Sequence, residues 1–126
     1  MKRQTEITNI MHQVGIPAHI LGYYYIRDAI TMVVDDPSDI HHMTKYLYPS
    51  VAKNHNTTPS RVERAIRHAI EVSCYRGDAD FIKKMFGYTI DTEIRRPTNG
   101  EFIGMIADVI RLKEAESESP FTTSDI

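Results

Sequence analysis

The sequence predicts an all-α single domain of about six helices containing a helix-turn-helix. Three observations predict it. Apolar residues recur at three- and four-residue spacing along nearly the whole chain. Pro, Gly, Asp and Asn interrupt that pattern at short intervals and leave only short connections. Only Tyr88 to Arg96 reads as a candidate extended segment.

The elements follow in order. Ile7, Ile10, Met11 and Val14 share one face of a first helix over residues 6–14, which Gly15-Ile16-Pro17 ends. Tyr25, Ile26, Ala29, Ile30 and Val33 line a second helix over residues 22–34, stopped by Asp35-Asp36-Pro37. Ser38 or Asp39 can cap a third, running through Ile40, Met43, Tyr46 and Leu47. Pro49 lacks a backbone donor and kinks or restarts that helix, so residues 49–55 form a short helix or a bent continuation. Asn56-Thr57-Thr58 is a turn, with Thr58 as N-cap and Pro59 at the first helical position. The helix that follows runs to about Tyr75 and ends before Gly77, which reads as a left-handed cap. Asp78 or Asp80 opens a short helix over residues 81–86 that Gly87 closes. Thr98-Asn99-Gly100-Glu101 reads as a capping box, and Phe102, Ile103, Ile106, Val109 and Ile110 drive a last helix to about Glu114. Residues 1–114 thus form one helical domain, and residues 115–126 are expected to be a disordered acidic tail.

Composition narrows the function classes. The chain of 126 residues, 41% hydrophobic and 25% charged, suits one domain with a real core. No apolar run approaches the ~20 residues that span a bilayer, so no membrane partner is expected. A single cysteine, Cys74, fits a reducing compartment, and the expected location is cytoplasmic. His41 and His42 are adjacent and point to different faces, and His68 and Cys74 stand six apart. Neither spacing makes a metal site, so no metal or other cofactor is expected. Cys74 lies near an apolar stripe and reads as a buried small hydrophobe. The three tyrosines Tyr23 to Tyr25 spread round a helix and read as packing, in preference to base stacking. No Gly-rich phosphate loop, carboxylate pair or nucleophile elbow marks an enzyme.

The net charge of -2 hides an uneven distribution. Between Lys53 and Arg76 five Lys or Arg face two Glu, for a net +3, whereas residues 114–126 carry a net -4. Such a patch matters more to a polyanion than the whole-chain charge. It sits mostly on the helix after Pro59. There Val62, Ala65, Ile66, Ala69 and Ser73 form an inner stripe, with Ser60, Arg64, Arg67 and Glu71 opposite and Arg61, Glu63 and His68 at the flanks. A short helix, a tight turn and then this helix have the form of a helix-turn-helix whose second helix enters the major groove of duplex DNA. Backbone N–H groups near Thr58 to Arg61, at the positive end of the helix dipole, favour a phosphate. Lys53, on the preceding helix, is a candidate backbone contact. An Arg fork matches guanine O6 and N7, and Glu63 can accept from cytosine N4. The rival reading is a helical protein-interaction bundle without DNA binding, its charges no more than a solvated face.

Long ungapped stretches, GIPAHILGYYYIRDAI, KYLYPSVAKNHNTTPSR, VERAIRHAIE, MFGYTI and RPTNGEFIGMIAD, resemble the C-terminal effector domains of the master sporulation response regulators of spore-forming Firmicutes. The resemblance runs from about Ile7 to Leu112. It implies a transcription factor that activates some promoters and represses others at entry into sporulation. It also implies a TGNCGAA-type element, often in tandem copies that a homodimer would occupy. By position, the family's base-reading residues fall on Arg61, Glu63, Arg64 and Arg67. Arg61 and Arg64 are expected on guanines, Glu63 on a C·G pair, and Ser60, Arg67 and His68 on phosphates or neighbouring bases. The resemblance further implies contact with the RNA polymerase sigma subunit through residues 77–90, with Gly77, Phe81, Lys83, Ile90 and above all Phe86 as candidates. The family's phosphoacceptor receiver domain is absent from this chain, which is expected to be an excised effector without its phosphorylation switch.

Overall fold

The computed structural model describes residues 2–118. Amphipathic periodicity becomes six α-helices: α1 (Lys2–Gln13), α2 (Leu21–Asp35), α3 (Tyr48–Asn54), α4 (Pro59–Arg76), α5 (Ala79–Phe86) and α6 (Asn99–Glu118). A 3-10 turn (Pro37–His41) and a π-helical turn (Met43–Leu47) link α2 to α3. Among the described residues there is no strand, and none of these helices is long and apolar enough to cross a membrane.

Helix α2 occupies the centre, with α4 against one side and α6 against another. Ile26 and Ile30 of α2, Ile66 of α4, and Ile103, Ile106 and Ile110 of α6 are completely buried. Each such side chain contributes about 1.5–3 kcal/mol relative to exposure. Tyr23 and Tyr25 are buried and Tyr24 is exposed, as packing of that triplet requires. Arg3 draws three helices together at the N-terminal end. Its guanidinium meets Asp35 at the end of α2 and takes both oxygens of Glu114 on α6, at 2.6 and 2.8 Å. These bonds hold the Glu114 carboxyl below its ordinary pKa.

Several predicted features differ in the structure. Asp36, not Ser38 or Asp39, caps the turn after α2, its carboxylate accepting from the Ser38 N–H at 3.1 Å. The predicted third helix divides into the 3-10 and π turns. In the π turn Leu47 N–H reaches back to His42 at 3.0 Å, which widens the backbone ahead of Pro49. A proline ring clashes with the carbonyl four residues earlier in a regular helix, and the wider turn accommodates it. Residues 88–94 are largely turns, closed by bonds such as Ile94 N–H to Asp91 C=O at 3.0 Å, residues 95–96 have no regular structure, and the segment forms no strand. Helix α6 passes the expected end at Glu114 and reaches Glu118; the rest of the predicted tail lies outside the described residues. Cys74 is exposed, because the step from Ser73 rotates it about 100° off the buried stripe.

Gly77 is not a left-handed cap. Its φ is -73°, and its lack of a side chain serves close approach: a Cβ there would lie 2.3 Å from the Val14 carbonyl oxygen. At this junction the residue with positive φ is Gly15, at 83°. With the buried Ser73 hydroxyl donating to Val14 C=O, these contacts seat the end of α1 on the α4–α5 junction.

The capping box forms as predicted. Glu101 N–H donates to Thr98 Oγ1 at 3.1 Å, and Glu101 Oε1 accepts from Thr98 N–H at 2.9 Å. Arg95 adds two bonds to the same carboxylate, at 2.7 and 2.9 Å, and the group's pKa falls to about 2. A carboxyl with a depressed folded-state pKa stabilises fully above its unfolded value and loses that contribution as pH falls through the folded one. Glu101→Gln should therefore cost about 1 kcal/mol at neutral pH, given the group's partial exposure. In urea titrations at stepped pH, the difference from the parent chain should shrink from about 4.5 downward and vanish near 2.

Candidate nucleic-acid interface

The stretch from α3 to α4 is shaped by local chemistry. Asn56 takes the left-handed conformation at φ 57°, which Asn tolerates better than most residues. It allows Thr57 N–H to close on Ala52 C=O at 3.0 Å and end α3 tightly. Thr58 caps α4, its Oγ1 accepting from Arg61 N–H at 3.3 Å, and Pro59 follows at the first helical position.

Packing then fixes which face of α4 turns outward. Val62, Ile66, Ala69, Ile70 and Ser73 are buried, with Ala65 half-buried. Gly22 of α2 sits directly on this face, where a Cβ would lie 2.3 Å from the Ala65 carbonyl oxygen and 2.7 Å from the Ala69 methyl. At the end of α3, His55 Nε2 meets Asp28 Oδ2 of α2, and its ring lies edge-on to Tyr25. Asn99, opening α6, donates to both Tyr48 Oη of α3 (3.1 Å) and Glu63 C=O of α4 (3.2 Å). The two helices are thereby held from both sides.

Of the predicted DNA-facing residues, Thr58, Ser60, Arg61, Arg64, Arg67 and His68 are exposed on α4 and its cap, and Lys53 is exposed on α3. Glu63 is half-buried and pairs with Arg67 at 3.3 Å. This i,i+4 pair is worth only ~0.2–0.5 kcal/mol but orients the Arg67 fork. Among the described residues neither Arg61 nor Arg64 forms an ion pair. Arg64 makes only a long bond, 3.5 Å, to Ser60 C=O. Two guanidiniums therefore project without an acidic partner from a helix whose other face is locked in the core. Such forks can take a phosphate or a purine edge without first breaking an internal bond.

The predicted sigma-contact residues differ in exposure, although Lys83 and Ile90 line one shallow hollow. Phe86 and Ile90 belong to the core, at 1% and 6% exposure, and Phe86 stacks on Phe102 with centroids 5.1 Å apart. Both side chains serve packing here, because an eight-residue helix needs its large apolar side chains to dock it. Gly77 and Phe81 are half-buried, and Lys83 is exposed.

Sequence reasoning missed Asn99, Arg95 and Arg96 at this site. Arg95 and Arg96 line the same hollow as Glu63 and Arg67, and Arg96 approaches Glu71 of α4 at 3.9 Å. The paired arginines before Pro97 were visible in the sequence, but nothing local placed them beside a helix some 25 residues earlier. The family model described as sporulation initiation factor Spo0A C terminal matches residues 7–110.

Proposed function

This chain belongs to the sporulation initiation factor Spo0A C-terminal family, whose members are effector domains of sporulation response regulators, and from that premise we propose that it reads duplex DNA with α4. In this reading α3, the turn at Asn56 and α4 act as a helix-turn-helix, with α4 in the major groove of a TGNCGAA-type element. Arg61 and Arg64 take guanines and Glu63 accepts from the cytosine of a C·G pair. Ser60, Arg67 and His68 contact phosphates or neighbouring bases, while Lys53 and the N–H groups near Thr58 hold the backbone. Two copies occupy tandem elements, and the surface that includes Lys83 meets the RNA polymerase sigma subunit. The observation that carries the reading is the unpaired state of Arg61 and Arg64 on an outward face. Forks that no carboxylate holds, on a helix whose opposite face is locked in the core, are free to meet a phosphate or a purine edge.

The test is a gel shift with a TGTCGAA duplex beside a scrambled one, at two salt concentrations. Arg64→Ala should lose about 1–3 kcal/mol on the cognate duplex and relax preference at one position. Equal affinity of the parent chain for both duplexes would refute sequence reading. Absence of any duplex binding would favour the interaction-bundle alternative.

A further inference from the structure

Residues 95–100 lie alongside α4 and enclose with it an open hollow of about 500 Å³. Three arginines border it, and they differ in how firmly they are held. Arg95 is committed to Glu101 by two bonds, and Arg67 leans on Glu63. Arg96 has only Glu71, at 3.9 Å, between side chains that are 52% and 39% exposed. A pair that long and that wet contributes almost nothing, so Arg96 can leave Glu71 for a better acceptor. The backbone that carries it is fixed. Pro97 is buried, the Thr98–Glu101 capping box follows at once, and Asn99 is bonded to both α3 and α4.

Its position relative to a groove follows from dimensions. A helix with its side chains is ~10–12 Å across and the major groove ~12 Å wide. A segment pressed against the flank of an inserted helix therefore faces the sugar–phosphate wall, not the base edges. We propose that Arg96 is a DNA-backbone contact, its guanidinium moving from Glu71 to a phosphodiester oxygen on the strand beside α4. The inference rests on α4 entering the groove, and it adds to that reading a contact from outside the helix-turn-helix.

The test uses the full chain in fluorescence anisotropy with the cognate and scrambled duplexes, between about 50 and 200 mM salt. Arg96→Ala should weaken binding roughly five- to ten-fold on both duplexes alike and flatten the salt slope by about one, with base preference unchanged. Arg96→Lys, which keeps the charge, should retain most of the slope. A merely structural partner of Glu71 would leave the slope unmoved. Unchanged affinity and slope for Arg96→Ala, or a loss confined to the cognate duplex, would overturn the proposal while leaving groove reading by α4 intact. Loss of duplex binding by the parent chain itself would remove both.

Discussion

Replacing Phe86 by Ala is expected to lower the unfolding free energy by about 3–5 kcal/mol, a large share of the ~5–15 kcal/mol typical of a domain. Phe86 is 1% exposed and lies nearly parallel to the Phe102 ring, 5.1 Å away and inclined by 17°. Helix α5 is only eight residues long and too short to hold itself together in water, so Ile82 and Phe86 dock it while Lys83 and Lys84 remain outside. Removing the ring leaves a cavity under α5 and a stranded partner in Phe102. Urea denaturation of the variant would measure this directly. A loss under about 1 kcal/mol would show that the ring is not a core residue. Lys83→Ala should shift stability by no more than ~0.5 kcal/mol. An effect of that variant on polymerase recruitment would then reflect a lost contact, whereas a defect in the Phe86 variant would reflect unfolding.

Gly15→Ala is expected to cost about 2–4 kcal/mol, and for two separate reasons. At φ 83° a side chain is strained wherever it points. Its Cβ would also lie 2.4 Å from the Gly77 nitrogen and 2.6 Å from the Gly77 Cα. Those are backbone atoms, so no rotamer change relieves the contact. One of the two segments must move, and the Ser73–Val14 bond beside them is pulled apart with it. The displaced segment is the far end of α4. Thermal melts should show the loss, and duplex affinity should fall on cognate and scrambled sequences together, because α4 shifts as a body without changing its side chains. Full retention of stability would mean that α1 does not seat on the α4–α5 junction in solution.

The contrast between these positions and the DNA-facing residues shows how far local pattern reaches. Thr58, Asp78 and the Thr98–Glu101 box were legible because a cap is an exchange of hydrogen bonds within three residues, and chain order alone brings the partners together. The outward face of α4 was legible for a related reason. Val62, Ile66, Ala69 and Ser73 recur at helical spacing, so whichever partner buries them, Arg61, Arg64 and Arg67 must point away. The charged outer face of α4 thus follows from residues 57–76 with little help from the rest of the chain.

Other features depend on which segment meets which. The same periodicity that identified α5 could not say whether Phe86 faced a partner or the core; Phe102 decided that from 16 positions away. Gly77 looked like any glycine after a helix until Val14 was seen pressed against it, and the flank of α4 had no visible neighbour until Arg95 to Asn99 were laid beside it. Helix formation and capping are short-range events written in consecutive residues, whereas burial is a property of pairs of surfaces. By itself, then, the sequence determined most of the helices, the caps at Thr58, Asp78 and Thr98–Glu101, and the exposed arginine face. Only the tertiary structure decided what covers the remaining faces, because the energy of close packing is set by atoms that meet in space and lie far apart along the chain.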